Sequence, residues 1–294
     1  MGAGAAPARS GHMTARVLPV MPPLPKVLRR DAPLPRLRLS LWHGVALAGF
    51  VVLTAMAADA ATEPAPRAGV LAVLVRWSPL LLRGFGFNIL ISFMAMAIGT
   101  VLGAFLGLGL VSLRRPARAL AWVLTEFFRN APWLVLLFFM IYMLPFRIQI
   151  GPLSIALPDW VKAVIGLGLP VMANVAEVMR GAVQSIHPGQ WEAAESLGFS
   201  RNQQLWQIIL PQCIKRMIPP WMNLYAILVM GTTLASIVGV NDVVTLAGQV
   251  QAAEGGRTDL LVPLYGYVLL LFFIYCYPIA RLTQRLERRY AVRI

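Results

Sequence analysis

Four stretches of this 294-residue chain contain no charged side chain: 20 residues between Arg38 and Asp59, 30 between Arg83 and Arg114, 25 between Arg216 and Asp242, and 21 between Asp259 and Arg281. A helix needs about 20 predominantly apolar residues to cross the hydrocarbon core of a bilayer, so each stretch is long enough to span one. Two less regular runs join them. Asn130–Phe146 gives 17 uncharged residues and extends backward through the apolar stretch around Trp122; Ala163–Met179 gives 17 with Glu177 inside it. The chain reads as an all-α membrane protein with six transmembrane helices. Only 13% of its residues are charged, where a soluble domain carries roughly a quarter, so most of its surface does not face water.

The formal charge of +14 has to be read with that pattern. Nucleic-acid-binding proteins set Lys and Arg on a solvated face, whereas here they form short clusters between apolar runs. Counted by alternate connections, 19 Lys and Arg lie on the side of the two termini and 6 on the other, with Arg129 left over. The positive-inside rule then puts both termini in the cytoplasm. Nucleic acid is excluded as a partner. Cys213, Cys276 and three histidines supply neither a disulfide framework nor metal-ligand spacing, so no metal is expected.

Residues 1–40 are rich in Pro, Ala and Arg and are expected to be disordered. The first apolar run, 41–60, is read as an uncleaved anchor, because a basic segment of about 40 residues is far longer than that of a cleaved signal. The stretch 285–294 is a basic tail.

The connection 184–218, cytoplasmic by the charge count, carries the most information. It contains Ser185-Ile186-His187-Pro188-Gly189-Gln190, then Glu192-Ala193-Ala194, three residues, Gly198, nine residues, and Ile208-x-Leu210-Pro211. Pro188 and Gly189 should break the preceding helix, and Gln190 to Leu197 are good helix formers. Gly198 is a natural stop, since glycine accepts the left-handed conformation. Helical pattern resumes over Arg201–Leu210 and Pro211 is expected to interrupt it. A short helix should lie across the cytoplasmic face, with Ala193 and Ala194 small enough for close approach by a partner. Taken alone, Ala-Ala-x-x-Leu-Gly is an ordinary helix end. The full spacing between two spans resembles the EAA signature of the membrane subunits of ATP-binding-cassette importers, and it matches without a gap.

Neighbouring residues resemble the polar amino-acid branch of that family: Arg180-Gly181 followed by Ser185-Ile186-x-Pro188-Gly189-Gln190; Gly84-x-x-x-Asn88-x-Leu90-x-Ser92, with Asn88 where threonine is usual; and Phe128-Arg129-x-x-Pro132-x-Leu134-Val135-x-Leu137-Phe138. The resemblance implies a five-helix permease core, 84–284, including the loop 184–218, with 41–60 as an extra N-terminal helix. It also implies a multi-pass protein of the bacterial inner membrane that moves a polar amino acid. Gln190, Glu192, Ala193, Ala194, Gly198, Leu210 and Pro211 would couple it to an ATPase subunit. A second permease subunit, identical or related, and an extracytoplasmic solute-binding protein would complete the machine. One departure stands out: where the family commonly has Lys-Asp-Thr-Ser-Leu, this chain has Met230-Gly231-Thr232-Thr233-Leu234.

Polar residues within the spans have two readings each. Glu177 and Arg180, three residues apart on one helix face, either line a pathway or form an ion pair near the cytoplasmic end with Arg180 snorkelling. Glu126 and Arg129 repeat the spacing and could fix a kink before Pro132. Asn88, Asn174, Thr232 and Thr233 are candidates for solute contact or for helix–helix hydrogen bonds. Asn88, Glu177, Thr232 and Thr233 form the candidate pathway set, and Glu177 is the one acid that reads as clearly embedded. Gly99, Gly103 and Gly107 recur every fourth residue as a close-packing face.

No Gly-x-x-x-x-Gly-Lys-Ser/Thr phosphate loop occurs, so the subunit needs no cofactor of its own and is no enzyme; ATP belongs to a partner. An ion-gradient transporter would be expected to show repeats and carboxylates at mid-membrane, and a scaffold would leave the spaced signature unexplained. Among importers, the alternative solute is an opine or another small nitrogen compound.

Overall fold

The computed structural model describes residues 41–60, 69–150 and 153–290; the tail expected over 1–40 and the last four residues of the basic tail lie outside them. Within the described residues the apolar runs are helical. α1 (Leu41–Ala60) takes the first. α2 (Val70–Leu110) has 41 residues. At 1.5 Å per residue it reaches about 60 Å, longer than the roughly 45 Å of a bilayer with its headgroups. It begins at Val70, not near Gly84 where the charge-free run opens, because the side chains of Arg76 and Arg83 point outward from the helix and do not interrupt it.

α3 (Arg115–Asn130) and α4 (Trp133–Met143) meet at a bend of 105°. Pro132 drives its predecessor out of the helical region; Ala131 and Pro132 are both extended, and α3 stops at Asn130. A hairpin follows, β1 (Arg147–Ile150) antiparallel to β2 (Leu153–Ala156), the small exception to the all-α expectation. α5 (Asp159–Gln184) leads to the short α6 (Pro188–Ser196). α7 (Arg201–Gln203) passes through a π turn, Gln204–Ile209, into α8 (Leu210–Gly231) and a 3₁₀ turn, Thr232–Val238. α9 (Val243–Ala253) is short and apolar, and α10 (Leu261–Tyr290) runs on as helix into the segment assigned to the basic tail.

Among the described residues four helices are long and apolar enough to cross a membrane, and the count is five if the bent pair is one span; α1, whose apolar stretch is Trp42–Ala57, is shorter, so the six expected spans are matched roughly. α2 and α5 form the central seam. Gly99 faces Val171, Gly103 faces Met172 and Val175, and Gly107 faces Met179; a Cβ on any of the three glycines would stand within 3 Å of those residues. The contacts advance together along both helices, so α2 and α5 run in the same direction, as alternate crossings must. The glycine face expected from the fourfold spacing is therefore a backbone-close packing seam. α1 packs on the outside of α10, with Gly44 under the ring of Phe273 and Val51 against Gly266.

Candidate functional site

α6 is set out from the helical bundle by its caps. Pro188 occupies the first turn, where its missing N–H is not needed, so it starts α6 as well as ending α5. His187 caps the helix, its Nδ1 accepting from the Gly189 N–H at 3.1 Å. At the other end Gly198 adopts φ +78°. Its N–H donates to the Glu195 carbonyl, and the Phe199 N–H to that of Ala194. This pair of bonds is the Schellman closure that glycine permits without strain. Ser200 and Gln203 then form a capping box that restarts the chain as α7.

A small apolar cluster under α6 fixes its position. Ile186, Ala182, Val183, Ile209 and Cys213 are buried there, with Trp191, Leu205 and Leu210 packed against them. The Arg201 guanidinium sits 3.7 Å over the Trp191 ring. Arg216 of α8 donates to the Ser185 hydroxyl at 2.7 Å, tying the end of α5 to the start of the next span.

Of the expected coupling residues, Gln190, Glu192, Ala193 and Gly198 share one exposed surface, joined by Glu195, Ser196 and Leu197, which is 76% exposed. Ala194 does not share it. It is buried against its own subunit, so its small side chain lets α6 lie close to the π turn and cannot meet a partner. Leu210 belongs to the cluster beneath. Pro211 is exposed and does not interrupt the helix: the Leu210 N–H reaches back to the Leu205 carbonyl, a π-type bond, and the proline enters the first turn of α8 just after it. The widened turn takes up the hydrogen-bonding position that proline cannot fill. Nothing in the residue pattern alone signalled that turn.

The residues of the candidate pathway divide into two places. Asn88 is fully buried; its Nδ2 donates to Thr232 Oγ1 at 3.0 Å and to Asp242 Oδ2 at 3.1 Å, and its Oδ1 accepts from the Val243 N–H at 3.0 Å. Thr232, also buried, donates onward to the Val229 carbonyl. Thr233 turns away, half-buried, to the Met230 carbonyl. Asp242 corrects the expectation that Glu177 is the one embedded acid. Read as the end of a span, it is instead fully buried between spans, where it caps α9 through Thr245.

Glu177 lies elsewhere. Its carboxylate pairs with Arg180, whose Nε donates at 2.9 Å, and with Arg129 of α3 at 3.5 Å; Arg129 in turn stands 3.7 Å from Glu126. The two i, i+3 pairs are thus one network joining α3 to α5. The sequence offered the pairs and no sign of their junction, which depends on the bend at Pro132. Beside this network is a cavity of about 580 Å³ whose walls include Arg115, Arg118, Trp122, Thr125, Glu126, Glu177, Arg180 and Gln184. Glu177 is level with the seam at Gly103–Gly107, 15 to 19 residues along α2 from Asn88, about 25 Å away. Asn174 donates to the Pro170 carbonyl within its own helix. Gly231, at the place of the missing family aspartate, is covered by Trp133, whose ring stands 2.8 Å from where a Cβ would be. Among the described residues no cluster of His, Cys, Asp or Glu could hold a metal ion.

Residues 99–292 match the family model described as binding-protein-dependent transport system inner membrane component. The chain is 34% identical over 217 residues to the probable amino-acid ABC transporter permease protein YckA of Bacillus subtilis, covering 72% of this chain and 90% of that one. It is 31% identical to the glutamine transport system permease protein GlnP of Escherichia coli, covering 72% and 93%. The crystal structure of an amino acid ABC transporter with histidines superimposes with a TM-score of 0.62 at 26% identity, over 74% of this chain and 96% of that one. An inward-facing structure of the MetNI methionine ABC transporter, 19% identical with a TM-score of 0.52, over 74% and 96%, shares the fold.

Proposed function

Because the chain belongs to the family of binding-protein-dependent transport system inner membrane components, we propose that it is the permease subunit of an inner-membrane importer for a polar amino acid, driven by a separate ATPase that docks on α6. The observation that carries this is the exposed surface of α6, closed by Gly198 in the left-handed conformation and backed by its own apolar cluster. A helix fixed at both ends and braced to α5 and α8 transmits a push as a rigid lever. The relatives named for amino-acid, glutamine and cystine transport support the solute class. In this reading both termini and α6 face the cytoplasm, ATP is bound and hydrolysed by the partner, a second permease completes the pathway, and an extracytoplasmic protein delivers the solute.

The test is reconstitution with the ATPase and binding protein in proteoliposomes. Gly198→Glu strains the left-handed turn and sets a charge at the contact. We expect it to abolish uptake and the ATPase stimulation by loaded binding protein, while the protein still inserts and purifies normally. Uptake at the native rate would remove α6 from the coupling path. A cysteine placed at Glu195, in a background without Cys213 and Cys276, should react with an impermeant reagent only from the cytoplasmic side.

A second reading of the solute, an opine or another small nitrogen compound, rests on Met230-Gly231, which lacks the family's charged pair, and on the Trp133 ring that covers Gly231. The ligand profile of the cognate binding protein separates the two.

A further inference from the structure

Apart from Glu177, the residues that line the cavity between α3 and α5 belong neither to the coupling set nor to the candidate pathway set. α3 presents three faces. Ala121 and Thr125 are buried against the bundle. Leu120, Val123 and Phe127, at i, i+3 and i+7, form an apolar stripe that is 54 to 63% exposed. Arg115, Arg118 and Trp122, at the same spacing, line the cavity. α3 touches α5 through the Arg129–Glu177 pair and is turned by 105° from α4, so α3 and α4 cannot both stand along the membrane normal. An oblique helix with an exposed apolar stripe and a separate basic face is the form taken by helices lying at the boundary of headgroups and acyl chains.

Charge inside the cavity is unequal. Glu177 is held by Arg180 and Arg129, and Glu126 by Arg129. Arg115 and Arg118 are exposed and make no ion pair among the described residues. On the same wall the Thr125 hydroxyl is buried with no hydrogen-bond partner. Two uncompensated guanidinium groups, an orphan hydroxyl and an indole together select a phosphate-bearing amphiphile. We propose that this cavity is a headgroup site for one anionic phospholipid, from the leaflet on the side of α6. Arg115 and Arg118 receive the phosphate, Thr125 donates to it or to the glycerol, and Trp122 borders the opening.

Native mass spectrometry of the full-length subunit in detergent, titrated with phosphatidylglycerol, tests this. One lipid should be retained well above the background of further adducts, and phosphatidylcholine should not replace it. Arg118→Gln should weaken retention about fivefold and Arg115→Gln with Arg118→Gln roughly thirtyfold, the loss expected for one and two basic contacts to an anionic lipid. Arg288→Gln with Arg289→Gln, which removes the same charge from the end of α10, should leave retention unchanged, and Arg118→Lys should restore most of it. Equal binding of phosphatidylcholine overturns the proposal, as does equal loss in the two double variants, which would mean a diffuse field. Saturation by glycerol 3-phosphate at the concentration that serves for phosphatidylglycerol also overturns it, since a soluble anion would then be the ligand.

Discussion

Near the middle of α2, Asn88, Thr232 and Asp242 are fully buried, and the hydrogen bonds between them stitch α2 to the turn after α8 and to the start of α9. Toward the C-terminal end of α2, Glu126, Arg129, Glu177 and Arg180 keep between 28 and 36% of their side-chain surface and pair with one another across α3 and α5. In the first cluster the cost of leaving water has been met in full, so a lost partner strands a buried polar group. In the second, water remains available to any member whose partner moves away, and exposed ion pairs contribute little. One cluster is a fixed joint and the other can exchange partners. The bundle thus has one region that holds its geometry and one that can rearrange.

Three substitutions bear on that contrast, beginning with the most costly. Asn88→Val leaves Asp242, Thr232 and the Val243 N–H without their partner and should destabilise the subunit by about 3 kcal/mol, read as loss of folded protein in chemical unfolding in detergent. A loss below about 1 kcal/mol would break the distinction between the clusters. Gly103→Val forces a branched side chain against Val175 and the Met172 carbonyl, in the seam that links the two clusters. Overpacking of this kind costs roughly 1–3 kcal/mol; we expect the middle of that range and a matching fall in thermal midpoint. Glu177→Gln should cost no more than about 1 kcal/mol after allowance for solvent screening, and its effect should shrink as salt is raised, whereas that of Asn88→Val should not. A salt-independent loss at Glu177 would make the second cluster as rigid as the first.

How far the sequence reads ahead of the structure differs between these places. Crossings were legible because the bilayer imposes a length, and α6 because its caps are local chemistry: Pro188 and Gly198 act through their own backbone. The early start of α2 was hidden because Arg76 and Arg83 count as charges in a linear string, though their side chains lie outside the packing. Asp242 was hidden for the opposite reason. An acid at the end of an apolar run looks like a boundary, and only the fold brings Asn88, 154 residues earlier, to its carboxylate. Ala194 and the π turn before Pro211 depend on which side of a helix meets the bundle. That is packing information, absent from spacing.

Gly231 beneath Trp133 ties two positions on different helices together. With the indole ring 2.8 Å from the place of a Cβ, an aspartate at 231 is seated only if the ring shifts or gives way to a smaller residue. The side chain allowed at one site is therefore set by what stands at the other, and a charged pair introduced at 230 and 231 has to be designed together with position 133.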